Sequence, residues 1–207
     1  MRGSRGYYLK MLSVVVILLS FISACDGDNS TGDAFIKNVS LSEYEQKLLS
    51  LSNEDSQIFD IELKNDSIKK VIVTIDYYEN GKFISQISQL THLISKEQPQ
   101  DLFRAFILRQ TAHNDERKWI TILSEENGSD LSIDSFQNIE HIVEGEYASN
   151  QTTVRTGPIK MGEKKIISTL LYSNDDEFAY LSEIETEEDF MKIPNNDLVY
   201  LLSIELQ

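Results

Sequence analysis

The amino-acid sequence predicts a single antiparallel β-sandwich of about nine strands with one or two short helices. Three observations carry that expectation. Apolar residues recur at every second position through much of the chain beyond residue 55, which is the period of a half-buried strand. The runs are short and punctuated by Asn, Asp, Gly and Ser, and they do not alternate with segments of helical period, which removes the parallel α/β architectures. The chain has 207 residues and one cysteine, so a core of one-domain size has to hold without a disulfide. An open barrel is the alternative closure for the same set of strands.

The chain begins with a basic segment, Arg2, Arg5 and Lys10, followed by an apolar run over residues 11–21. That run is too short for a permanent spanning helix and has the length of an export-signal core. Behind it stands Ile22-Ser23-Ala24-Cys25, which places the single cysteine where a signal would be cut. The tetrapeptide resembles the lipobox of bacterial membrane lipoproteins: an aliphatic residue three positions before the cysteine, two small residues, then Cys. The resemblance implies that the Cys25 thiol is diacylated and that cleavage falls between Ala24 and Cys25. It also implies that the mature protein is held at the extracytoplasmic face of the cell membrane by the lipid on Cys25. A thiolate is the nucleophile such a transfer needs. An ordinary cleaved signal and an uncleaved N-terminal anchor are the alternatives.

On this reading residues 1–24 are the signal peptide, 25–39 the lipid anchor and a flexible acidic linker, and 40–207 the sandwich domain. The linker is expected because residues 26–33 are small, polar and acidic, a composition that buries too little apolar surface to fold. Asp26, Asp28 and Ser30 are spaced like the start of a calcium loop. The sixth and twelfth positions, however, hold Thr31 and Lys37 where glycine and glutamate are required.

Ser42 and Glu45 form a capping-box pattern ahead of Tyr44, Leu48, Leu49 and Leu51, which predicts one short amphipathic helix. Phe59, Ile61 and Leu63 then alternate with charged residues over 57–64, and Val71, Val73, Ile75 and Tyr77 alternate over 70–79. Asn65-Asp66-Ser67 is turn chemistry between these two strands. Asn80-Gly81 supplies the positive φ angles of a tight hairpin into residues 82–90. The three are expected to form a meander with Val71, Val73 and Ile75 toward the core and Thr74 on the opposite face. Further strands are predicted at 102–110, 118–124, 130–136, 165–172, 178–184 and 197–206. Residues 137–160, with Gly145, Gly157 and Pro158, read as an irregular excursion, and residues 186–189 as a capped helical turn stopped by Pro194.

The formal net charge is −15, and it becomes more negative when Arg2, Arg5 and Lys10 leave with the signal. Nucleic acid and anionic lipid repel such a chain, so no nucleic-acid partner is expected; the domain itself is expected to be a monomer. There is no Gly-x-Ser-x-Gly elbow, phosphate-binding glycine loop or dinucleotide fingerprint. His92, His113 and His141 are far apart and read as solvated. The carboxylates of Glu125-Glu126 and Asp175-Asp176-Glu177 read as solvated too, and a glycosidase would need two of them facing across a cleft. Neither metal nor cofactor is expected.

Tyr78, Trp119 and Tyr147 are the candidate contact residues, because such rings bury much area with little entropy loss, although core trim is the ordinary use of the same residues. The expected function is a surface-tethered, non-enzymatic binding or accessory module for an envelope protein or polymer. The alternatives are a carboxylate-dependent envelope hydrolase and a solute-binding lipoprotein of a transporter.

Overall fold

Alternating apolar positions are laid out as eleven strands in two antiparallel sheets in the computed structural model, which describes residues 32–43, 46–47, 49, 55–95, 101–111, 117–125, 131–138, 148–173, 186 and 198–207. All of the strands belong to one compact unit, Gly32–Gln207. They are β1 (Ala34–Asn38), β2 (Asp55–Leu63), β3 (Lys70–Glu79), β4 (Lys82–Leu93), β5 (Leu102–Thr111), β6 (Arg117–Glu125), β7 (Leu131–Asn138), β8 (Ala148–Gln151), β9 (Gly157–Ile159), β10 (Lys164–Ser173) and β11 (Leu198–Leu206). The six-stranded sheet runs β7-β6-β5-β2-β1-β9 and the five-stranded sheet β4-β3-β11-β10-β8. The two sheets pack face to face, as the sequence predicts for a sandwich. Ile36, Phe59, Ile61, Phe103, Leu123 and Ile159 of the first sheet meet Val71, Val73, Ile75, Ile167 and Ile204 of the second in one core.

The β3–β4 hairpin is as expected, with Asn80 at φ 49° and Gly81 at φ 73°. Those two values suit the two-residue turn whose twist matches that of its strands. The meander itself is corrected. β2 pairs with β1 and β5 in one sheet, whereas β3 pairs with β4 and β11 in the other. Residues 64–69 therefore cross between sheets. Asn65 Oδ1 accepts from Ser67 N at 2.9 Å to form the local turn, and Ile68 is buried as an apolar plug at this end of the core. The amides of Lys69 and Lys70 both donate to the Gln207 carbonyl, tying the crossing to the end of β11.

The linker expected over 25–39 is also corrected, because β1 occupies its second half. Ala34 and Ile36 are buried, and β1 is paired on both sides, by β2 and by β9. Five residues are enough for a strand when the ladder is completed on both edges. Asp33 fixes its start: one carboxylate oxygen accepts from Met161 N at 2.7 Å and the other from Asn65 Nδ2 at 2.6 Å.

β8 and β9 lie in the stretch expected to be irregular. Between them the chain stays bonded to β10, with Thr152 N donating to Thr169 O and Arg155 N to Ile167 O. At Gly157, φ 135° is a value that side chains rarely allow, and the chain turns there into the other sheet. Of the predicted helices, Glu43, Gln46, Lys47 and Leu49 are helical, and Gln46 N donates to Ser42 O. Tyr44, Glu45, Leu48 and Leu51, the run 178–184 and most of the turn at 186–194 lie outside the described residues.

Val71, Val73 and Ile75 face the core as predicted, but Thr74 on the other side is only 7% exposed. β3 is an interior strand with both faces covered. Val73→Asp and Thr74→Lys should therefore both destabilise, each by about 2 kcal/mol or more, because either buries an ionisable group without a partner. At this size each kcal/mol moves the melting temperature by roughly 2–4 °C. A Thr74→Lys protein that melts like the parent would put that face in water.

The Asp33 carboxyl lies below the ordinary carboxylate range, chiefly through the Met161 amide and next through Asn65. A lowered folded value means a contribution that is complete above the ordinary unfolded value, near 3.9, and is lost as pH falls through the folded one. Denaturation midpoints followed from about pH 5 to about pH 2 should fall less steeply for Asp33→Asn than for the parent. Parallel curves would show that this tie carries no acid dependence.

Candidate interaction surface

β5 and β6 carry apolar residues at both parities, so that filling the core does not use them up. Phe103, Ala105 and Ile107 point inward from β5, while Phe106 and Leu108 point outward; Leu123 points inward from β6, while Ile120 and Ile122 point outward. Strand register aligns the outward set. Ile58 on β2 faces Phe106 on β5, Phe106 faces Ile122 on β6, and Ile122 faces Ile133 on β7. The result is one row across four strands. Leu108 and Ile120 make a second, adjacent row. These side chains stand outside the core cluster; the inner ones are half-buried among their neighbours, and at the edge Ile133 is 57% and Leu131 53% exposed.

The other sheet differs in part, since on its β4 edge Phe83 is 56% and Leu93 65% exposed. Its outer side holds a second cluster of Tyr78, Ile166, Leu171, Val199 and Leu201, and all five are buried.

A polar border follows the apolar rows. Arg104 donates to both carboxylate oxygens of Asp60, from Nε at 2.8 Å and Nη2 at 3.1 Å, and Lys37 Nζ lies 2.7 Å from Glu62. Hydrogen bonding from Lys37 holds the Glu62 carboxyl below its usual value. Both of these acids are paired with cations, so this border is locally balanced although the chain as a whole is strongly acidic. Pairs as exposed as Lys37–Glu62 contribute little stability, and their effect here is to cancel local charge.

The aromatic candidates from sequence are not on this surface. Tyr78 is buried in the second cluster, edge-on to Phe83 at 5.6 Å, because the outer face of β3 is covered. Trp119 is buried because β6 turns it inward, where it meets Tyr200 at 5.3 Å. It also forms one wall around Arg109, whose guanidinium lies 5.9 Å from the Trp119 ring and 5.2 Å from Tyr172. Both residues are withdrawn as contact candidates. Beside Arg109, a space of about 20 Å³ bounded by Gln57, Ser168 and Tyr200 has room for about one water molecule. Ala24, Cys25 and Tyr147 lie outside the described residues, as do His113, His141, Glu126 and residues 175–177.

His92 and Glu125, expected in solvent, are buried where β4 of one sheet meets β6 and β7 of the other; His92 is 1% exposed. His92 Nδ1 lies 2.9 Å from Ser132 Oγ, and Nε2 lies 3.8 Å from Glu125 Oε1. Ser88 Oγ donates to Asp134 Oδ2 at 2.7 Å and sits 3.2 Å from Thr121 Oγ1. The order hydroxyl, imidazole, carboxylate is that of a nucleophile relay. Yet the carboxylate is beyond hydrogen-bond range of the ring and Phe103 packs edge-on at 5.1 Å, so the group acts as a polar seam joining the sheets. At the end of the sandwich near Asp33, a groove of about 880 Å³ is bordered by Leu63, Asp66, Lys69, Ile94, Asp101 and Met161 and brings no imidazole to its carboxylates. Among the described residues no set of three His, Cys, Asp or Glu side chains is placed to hold a metal, and no helix is long and apolar enough to cross a membrane.

A family model described as the YgaN domain matches residues 35–206, from β1 through β11. No curated protein and no solved structure matches the chain.

The seam should behave as one unit. Ser88→Ala removes the donor to Asp134 inside a partly dry junction and should cost about 1–3 kcal/mol. In a double-mutant cycle with Asp134→Ala the two losses should fail to add by about 0.5–3 kcal/mol. Strict additivity would mean that the hydroxyl and the carboxylate do not act together.

Proposed function

This chain belongs to the YgaN domain family, and we propose that it serves as a lipid-anchored, non-enzymatic binding or accessory module on the extracytoplasmic face of a bacterial cell membrane. The apolar face of the six-stranded sheet is its contact surface, toward a protein or polymer of the envelope. The observation that carries the reading is the row Ile58, Phe106, Ile122, Ile133, an uncharged band on the outside of a sheet whose inside already fills a core. Large outward apolar patches mark interaction sites in water-exposed proteins. The anchor rests on the tetrapeptide ending at Cys25 behind its apolar run, and lipid on that residue supplies the membrane attachment.

The alternatives find less support. Of the carboxylates that a hydrolase would call on, Glu125 faces buried His92 and Asp134 accepts from Ser88, and neither faces a partner across a cleft. A solute-binding lipoprotein closes two lobes around its ligand, whereas Gly32–Gln207 is a single unit of two packed sheets.

Cys25→Ala tests the anchor. The variant is expected to lose lipid labelling and to leave the membrane fraction as unprocessed or differently cleaved protein. Retention and processing like those of the parent would overturn the lipobox reading.

A further inference from the structure

Building on the reading of that outer face as the contact surface, we propose that its occupant is a second copy of this chain, packed sheet against sheet. Three features point to a copy. The surface can pair with itself: the row Ile58, Phe106, Ile122, Ile133 and the shorter row Leu108, Ile120 can pack on the same residues turned about a two-fold axis, the closure that most homodimers use.

Its size also suits. Four strands about 4.8 Å apart and about nine residues long at about 3.3 Å per residue give a whole face on the order of 600 Å², with the apolar rows at its middle and charged and polar side chains as its rim. Two such faces exceed the roughly 1,000 Å² that separates a specific interface from a casual contact.

The third feature is charge. A net −15 per chain opposes self-association in general. Here, however, Asp60 and Glu62, the described acids bordering the rows, are already paired with Arg104 and Lys37, which lowers the repulsion between two copies along that border. The remaining repulsion acts over distance, where salt screens it. Anionic lipid meets the same negative field with no balanced surface of its own, which makes a membrane the poorer occupant. Dimerisation would place two acylated N-termini on one particle and strengthen its hold on the bilayer. The monomer expected from the sequence gives way in this proposal to the pairing of one apolar face.

The test uses the mature chain starting at residue 25 and carrying Cys25→Ser, followed by sedimentation and light scattering across a concentration series. A reversible dimer is expected. Ile122→Lys and Ile133→Lys should each weaken it by about tenfold or more while the melt of the dilute protein stays near the parent's. Raising salt from about 0.1 M to about 1 M shortens the Debye length from about 10 Å to about 3 Å and should tighten the dimer. An association that loosens over that range would be held by border ion pairs, and the proposal would fail.

A photo-cross-linking residue at position 133 of the lipidated protein in cells separates this inference from the reading beneath it. A covalent product of two identical chains supports the dimer. A product with a different protein, from a chain that stays monomeric in solution, overturns the second copy and keeps the contact surface. Absence of any product from position 133 overturns both, and sedimentation of the soluble chain with phosphatidylcholine vesicles would replace the copy with a lipid surface.

Discussion

Everything in this domain depends on the two-residue pleat, because each strand has to decide which of its two faces enters the space between the sheets. Ile36, Phe59, Ile61, Phe103 and Leu123 from one sheet and Val73, Ile75, Ile167 and Ile204 from the other have lost nearly all contact with water. Burying a side chain of that kind contributes about 1.5–3 kcal/mol, and the sum must exceed the conformational entropy of ordering the strands. With a single cysteine in the chain, no intrachain disulfide adds to that sum. A slip of one residue in β3 would send Val71, Val73 and Ile75 out and bring Ile72, Thr74 and Asp76 in, so the core fixes register as well as stability.

Two sheets leave four edges, and two different devices tie them across the sandwich. On one side a single run of chain belongs to both sheets: β8 follows β10, Gly157 redirects the backbone, and β9 completes β1. On the other side β4 and β7 are joined through side chains, by His92 with Ser132 and by Ser88 with Asp134. Backbone continuity is indifferent to pH and specific in register. The polar seam is less rigid in register, yet each buried group there needs its partner, so its members constrain one another. Among the described residues neither device pairs the backbone of β4, β7, β8 or β9 on its outer side, since each is hydrogen-bonded to one neighbouring strand.

Much of this was legible from the sequence where one residue pattern forces one geometry. The alternation in β2 and β3 located those strands, and Asn80-Gly81 located a hairpin, since few other pairs accept both φ values. Pairing between strands was not legible, because the turn at Asn65 to Ser67 is compatible with a hairpin or with a crossing. Ile68, buried at the end of the core, decides for the crossing, and nothing local announces it. β1 was hidden by its five-residue length and its acidic approach. Trp119 and Tyr78 were misjudged because sidedness was argued from residue type. The parity of β6, with Trp119, Thr121 and Leu123 in step, already turned the tryptophan inward. The same parity carried the signal for the outer row, since Ile120 and Ile122 occupy the alternate positions, but one strand read alone cannot show that Phe106 and Ile133 continue it.

The distribution of charge and apolar surface is the last constraint to reconcile. A chain at −15 is protected from indiscriminate aggregation by repulsion, and that protection permits a band of isoleucine, leucine and phenylalanine on the outside of a sheet. Stability alone would favour polar residues at those positions, because outward apolar side chains on the six-stranded sheet gain little from folding. The outer face of the five-stranded sheet differs in part: Tyr78, Ile166, Leu171, Val199 and Leu201 there are buried, while Phe83 beside them on β4 is exposed. Along the six-stranded sheet one apolar row runs across four strands and a shorter one across two, and the acids Asp60 and Glu62 beside them are paired with Arg104 and Lys37. That combination suits a surface to being covered by another surface, and it places the selective feature of this domain on the outside of a sheet, away from the loops and rings that composition alone brought forward.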